Sequence, residues 1–80
     1  MTRAELEHAI RAACEAHDLA ASKLAAFRDR DRDFVRVLLA EGMVKPRVLA
    51  ERVRRLPVPQ DERERLVTWI RRTAGEIGSR

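Results

Sequence analysis

The chain has 80 residues, of which 38% are charged and 45% are hydrophobic, and its formal net charge is +4. This length allows a single domain with a small core, and the composition is typical of a folded helical domain rather than a disordered segment. No apolar run approaches the roughly 20 residues of a membrane-spanning helix, and the first residues do not resemble a signal peptide. With Cys14 as its one cysteine, the chain can form no internal disulfide. We therefore expect a cytoplasmic protein that does not associate with membranes.

The first predicted helix covers residues 1–16. Thr2 and Glu5 form the sequence pattern of a capping box, in which each side chain accepts a hydrogen bond from a free backbone N–H group at the helix start. Apolar residues then recur at helical spacing. A break is predicted near His17, because Asp18 is a residue type that favours the N-cap of a new helix.

Residues 17–42 are predicted to form two helices joined by a short corner. The second helix carries a stripe of small and apolar side chains, with Lys23 at the margin of the stripe. The alternating aspartates and arginines from Asp29 to Asp33 open the third helix. That helix is expected to end at Gly42, in the left-handed conformation that glycine favours after a helix.

The fourth predicted helix, residues 46–56, begins with Pro46 at a position where a missing N–H group costs nothing. Most of the positive charge lies on or beside this helix, since residues 42–59 contain a single acid, Glu51, against a basic patch made of Lys45, Arg47, Arg52, Arg54 and Arg55. Such a patch favours a polyanion or an acidic protein surface. It is also typical of an ordinary solvated helix face.

The clearest predicted break is Leu56 to Pro59, because its two prolines stop a helix. A fifth helix follows over residues 60–77. The sequence therefore predicts an all-α fold, a compact bundle of four to five short helices in one domain, residues 1–80. The expected core consists of Leu6, Ile10, Leu24, Phe34, Leu38, Val53, Leu66, Trp69 and Ile70.

Three charged residues are predicted to meet at the corner between the second and third helices. Arg28 suits the C-terminal end of one helix, and Asp31 suits the first turn of the next. Lys23 can either lay its aliphatic stem over the core with its ammonium group in solvent or contact a phosphate group. Salt bridges and helix capping account for the same pattern without any ligand.

The segment from Asp18 to Phe34 resembles the motif D-L-x-x-S-K-L-x-A-x-R-x-K-D-x-x-F of a bacterial nucleotidyltransferase-like family of unknown function, which is often found near toxin–antitoxin genes. The matching residues are Asp18, Leu19, Ser22, Lys23, Leu24, Ala26, Arg28, Asp31 and Phe34. The chain departs from the family pattern at three positions. Arg30 stands where lysine is usual, Phe27 where glycine is common, and Lys45 where an acid is common.

The resemblance covers the opening helix and the C-terminal helical part of such proteins. Their intervening sheet, with a Gly-Ser phosphate loop and paired aspartates for metal, has no counterpart here. The resemblance implies that Lys23, Arg28, Asp31 and Asp18 are nucleotide- or phosphate-binding residues. Magnesium and a nucleoside triphosphate are implied only for the complete family, so we expect no catalytic residue, cofactor or metal ligand in this chain. The first helix, without its sheet, should expose an apolar face.

Two main hypotheses follow for the function. In the first, the chain is the helical portion of a nucleotidyltransferase-like protein, inactive unless the missing catalytic half complements it. In the second, it is a small basic helical module that binds nucleic acid or an acidic protein partner, in an antitoxin-like or regulatory role. Expected partners are another protein or a second copy of the chain, and a weakly bound nucleotide or nucleic acid.

Overall fold

The computed structural model describes residues 2–78 and shows, within that range, four α-helices and no strands. They are α1 (Arg3–Ala26), α2 (Asp29–Ala40), α3 (Pro46–Arg54) and α4 (Gln60–Gly78). The predicted all-α class is confirmed. None of these helices combines the length and the apolar character that crossing a membrane requires.

Three of the local signals that begin and end helices lie where the sequence predicts them. The Thr2 hydroxyl accepts a hydrogen bond from the Glu5 backbone N–H at 3.2 Å, and the Glu5 carboxylate accepts one from the Thr2 N–H at 3.3 Å. Gly42 follows α2 with a φ of 73°, and Pro46 is the first residue of α3. Each of these signals depends only on residues close together in the chain, so the local sequence is sufficient to predict it.

The predicted break near His17 is wrong, because α1 is one continuous helix of 24 residues. His17 is buried and joins α1 to the start of α3. Its Nε2 atom accepts the backbone N–H of Lys45 at 2.9 Å, and its Nδ1 atom lies 2.5 Å from the carbonyl oxygen of Ala13. Because Nε2 is the acceptor in this arrangement, the donor role is assigned to Nδ1. Asp18 lies in the middle of α1 and caps no helix.

Residues from all four helices form one core, together with Val44 in the loop before α3. Of the predicted core residues, Leu24, Val53, Leu66 and Ile70 are buried. Leu38 and Trp69 are half-buried and pack against the core. The prediction is wrong for three residues that remain exposed, namely Leu6 (49%), Ile10 (56%) and Phe34 (41%).

The uncovered residues of α1 follow from the continuity of that helix. All side chains from Thr2 to Ala13 are exposed, whereas the second half of α1 packs on α2 and α3. Leu6 and Ile10 have the spacing of core residues, but the bundle ends before it reaches them. An exposed apolar face on the first helix was expected, and the structure has one.

The corner between α1 and α2 contains an unusual backbone conformation. Phe27 follows α1 with a φ of 52°, in the left-handed region of backbone conformation that residues other than glycine seldom adopt. Its ring meets the Trp69 ring edge-on, with centroids 6.4 Å apart. The guanidinium groups of Arg32 and Arg65 lie 4.5 and 5.1 Å from the centre of the Phe27 ring. These contacts offset the cost of the backbone conformation.

This arrangement predicts different effects for two truncations of Phe27. Phe27→Ala loses the ring contacts and retains the strained backbone, whereas Phe27→Gly loses the ring contacts and relieves the strain. We expect Phe27→Gly to be more stable than Phe27→Ala by about 1 kcal/mol, and both to be less stable than the wild type. Urea unfolding followed by circular dichroism measures this order. A glycine variant less stable than the alanine variant would contradict the assigned strain.

Candidate functional site

The structure brings Lys23, Arg28 and Asp31 together, as the sequence predicts. Asp31 lies in the first turn of α2 and is only 2% exposed. Its carboxylate accepts a hydrogen bond from the Arg28 Nε atom at 2.8 Å and another from the Arg28 backbone N–H at 3.3 Å. The Lys23 Nζ atom, on the last turn of α1, lies 3.9 Å from the other carboxylate oxygen. We call these three residues the Lys23 corner.

The electrostatics of the Lys23 corner are those of a compensated buried charge. The side-chain hydrogen bond from Arg28 lowers the pKa of Asp31 below its ordinary value of 3.8, and the nearby charges of Arg28 and Lys23 act in the same direction. Burial opposes this effect, because it disfavours the charged carboxylate. Asp31 is therefore ionised at neutral pH and cancels part of the positive charge that surrounds it.

Lys23 is the member of the corner that a ligand in solvent could reach. Its side chain is 41% exposed, and its Nζ atom lies 6.0 Å from the centre of the Phe34 ring. The side chain thus lies across an apolar surface with its charge at the edge, the geometry predicted for a lysine at the margin of a stripe. The ammonium group has room for a further anionic partner on its solvent side.

Asp18, the fourth residue implied by the family resemblance, does not join the Lys23 corner. Its carboxylate accepts a hydrogen bond from the Arg52 Nη1 atom at 3.0 Å, and the Arg52 Nη2 atom lies 3.7 Å from the Cys14 sulfur. This contact attaches α3 to α1. Within residues 2–78, the contacts of Asp18 are those of a structural ion pair between two helices.

The predicted basic patch does not lie on one surface. Arg52 faces α1 and is neutralised by Asp18, whereas Arg47 and Arg54, seven residues apart, share the face of α3 beside α4. Arg54 forms an ion pair with Glu51 at 2.7 Å. In the described part of the chain, the side chains of Lys45, Arg47 and Arg55 are exposed and form no ion pair.

Sequence reasoning missed two arginines that lie opposite this face of α3. Arg63 and Arg71 are eight residues apart on α4, and both line a cleft together with Arg54. Their spacing places them on one side of a helix, which was a usable signal. Their position next to Arg54 could not be read from spacing, because it depends on how α4 packs against α3.

The described residues do not fit the magnesium ion that the complete family implies. Across residues 2–78, no group of three histidine, cysteine, aspartate or glutamate side chains is placed to hold a metal ion. The buried carboxylate of Asp31 already has two cationic partners.

Comparisons with protein-family models, with curated proteins and with solved structures find no match to this chain. The fold and the charged contacts define the class of protein as a small all-α domain. It has a buried carboxylate paired with two half-exposed cations at one corner, and along another face it has arginines that form no ion pair within residues 2–78.

The charge of Asp31 should make the stability of the fold depend on pH. Because the folded-state pKa lies below the ordinary value of 3.8, the ionised carboxylate stabilises the fold above that value and loses its effect as the pH falls through the folded-state pKa. We expect Asp31→Asn to lower the urea midpoint clearly at pH 7. The gap to the wild type should narrow at a pH below the folded-state pKa, where the wild-type carboxyl is also protonated.

Asp33→Asn is the matched control for that measurement. Asp33 lies two residues further along α2, is exposed, and forms no ion pair with the rest of residues 2–78. Its substitution should change the midpoint little at either pH. Equal losses in the two variants at pH 7 would show that the buried carboxylate has no special role.

Proposed function

We propose that this chain is the helical portion of a nucleotidyltransferase-like protein, inactive on its own, with a phosphate-binding residue at Lys23. The observation that carries the proposal is the convergence of Lys23, Arg28 and Asp31, three residues of the matched motif, on one corner. The family is proposed from the resemblance of the segment between Asp18 and Phe34 to the family motif. The placement of Lys23, Arg28 and Asp31 at one corner supports a phosphate-binding role for Lys23.

The contacts around Lys23 support a positioning role for Asp31 and Arg28. The Asp31 carboxylate lies 3.9 Å from the Lys23 ammonium group and attracts it toward the α1–α2 corner, and Arg28 satisfies the other oxygen of the same carboxylate. This attraction favours the lysine conformations that place the ammonium group at the corner, where a phosphate oxygen would be contacted. Because Asp31 offsets part of its charge, the corner alone should bind a triphosphate weakly.

The exposed start of α1 also supports the proposal. Leu6 and Ile10 continue the core-facing stripe of the helix beyond the bundle, where no described residue covers them. In a complete member of the family, a sheet would follow the first helix and could pack on this face. Nucleotidyl transfer further needs metal-binding carboxylates to orient the phosphates, and such a sheet would have to contribute them.

The proposal predicts weak and site-specific binding of a triphosphate. Isothermal titration with ATP should give a dissociation constant of about 1 mM, and Lys23→Glu should abolish the signal. Lys45→Glu is the matched control, since it makes the same change of charge at an exposed lysine outside the corner. Equal losses in the two variants would refute a site at Lys23, because net charge alone would then explain the binding.

The proposal also predicts that the chain alone catalyses no transfer. Incubation with magnesium and radiolabelled nucleoside triphosphates should leave RNA and protein acceptors unlabelled, because the carboxylates that would position the metal are not supplied by this chain. Autoradiography of the separated products measures the outcome. Transfer of label that disappears in Lys23→Ala would overturn the requirement for a second catalytic half.

A further inference from the structure

An open groove runs between α3 and α4, away from the Lys23 corner. One part is a cleft of about 630 Å³ whose walls include Arg54, Arg63 and Arg71. An adjoining cleft of about 290 Å³ shares Arg54 and Arg71 and adds Arg47. The two clefts adjoin at these shared side chains, and we call them together the arginine groove, defined by Arg47, Arg54, Arg63 and Arg71.

The positive charge of the arginine groove is only partly neutralised. Arg54 forms an ion pair with Glu51, and Arg63 donates one hydrogen bond to the Arg54 carbonyl oxygen at 3.3 Å, which leaves its charge uncompensated. Arg47 and Arg71 form no ion pair with any residue in 2–78. Four guanidinium groups thus face two nearby acids, Glu51 and Glu64. The groove thus keeps an excess of two positive charges, whereas the Lys23 corner, with two cations and one carboxylate, keeps an excess of one.

The arginines form two rows whose lengths follow from helix geometry. Arg47 and Arg54 lie about 10 Å apart along α3, and Arg63 and Arg71 lie about 12 Å apart along α4. A nucleic-acid strand presents one phosphate for about every 3.4 Å of duplex axis, so each row has the length of about three phosphates. Guanidinium groups suit this ligand because their planar forks donate two parallel hydrogen bonds to phosphate oxygens.

The other residues that line the groove indicate which part of a nucleic acid the groove would contact. Gln60, Glu64, Val67 and Thr68 complete the larger cleft, and no aromatic ring lines either cleft. Proteins that bind single strands usually stack the bases on aromatic side chains, which this groove lacks. Sites for free nucleotides usually enclose most of the ligand, whereas this groove is open. The open shape and the arginine rows favour contact with a phosphate backbone alone, without sequence preference.

We infer that the arginine groove between α3 and α4 binds the phosphate backbone of a nucleic-acid duplex, independently of sequence. This site is separate from the Lys23 corner and goes beyond the proposed function, so either can fail without the other. Binding should be strongly salt-dependent, because each phosphate contact releases condensed counterions.

The test is fluorescence anisotropy with a labelled 20-base-pair duplex over a series of salt concentrations. The variant Arg47→Gln/Arg71→Gln removes two of the three groove charges that form no ion pair within residues 2–78, and it leaves the Arg63 hydrogen bond intact. Its slope of log K against log salt should be shallower than that of the wild type by about 1.8, at about 0.9 for each lost phosphate contact. A second duplex of unrelated sequence should bind equally well.

Arg30→Gln/Arg36→Gln is the matched control, because both arginines are exposed on α2, lie outside the groove and form no ion pair within residues 2–78. It removes the same net charge and should keep the wild-type slope. Circular dichroism melting of both variants verifies that they fold. Equal slope losses in the two variants would overturn the inference, as would wild-type protein that binds no duplex at low salt. Poly-glutamate that displaces the duplex at equal charge concentration would instead identify an acidic protein as the ligand.

Discussion

The start of α2 is organised around the buried carboxylate of Asp31. A buried charge must be compensated by cations and hydrogen bonds. Arg28, the N-cap residue of α2, donates two hydrogen bonds to this carboxylate, and the Lys23 ammonium group of α1 lies 3.9 Å from its other oxygen. Because Arg28 would move together with α2, a rotation of that helix would separate Asp31 from Lys23 alone. We therefore attribute the fixed start of α2 to Asp31 and Arg28, and one electrostatic link between α1 and α2 to Asp31 and Lys23.

The attachment of α3 follows the same logic with different groups. His17 accepts the backbone N–H of Lys45 at the start of α3, and Asp18 binds Arg52 within it. Adjacent residues of α1 thus hold both the entry and the last turn of α3. With α3 placed in this way, α4 packs on it and on α2, and the arginine groove forms where the polar faces of α3 and α4 adjoin.

The two proposed binding sites use positive charge in opposite ways. At the Lys23 corner a buried acid holds the cations in place, so geometry is well defined and the free charge is small. In the arginine groove the cations lie at the surface with few acids beside them, so the local potential is larger and the geometry is looser. A single phosphate group suits the first site, and an extended row of phosphates suits the second. One protein can contain both kinds of binding site.

The sequence by itself determined the features that depend on interactions between residues close together in the chain. The capping box at Thr2 and Glu5, the left-handed Gly42, the start of α3 at Pro46 and the meeting of Lys23, Arg28 and Asp31 all depend on local spacing. The tertiary structure decided the rest. His17 is a buried link rather than a break because its partner, Lys45, lies 28 residues away. Leu6 and Ile10 have the spacing of core residues and remain exposed, because helical periodicity defines a face but not what covers it. Arg47 and Arg54 meet Arg63 and Arg71 only because two helices distant in the chain pack side by side, and that packing is a property of the assembled core.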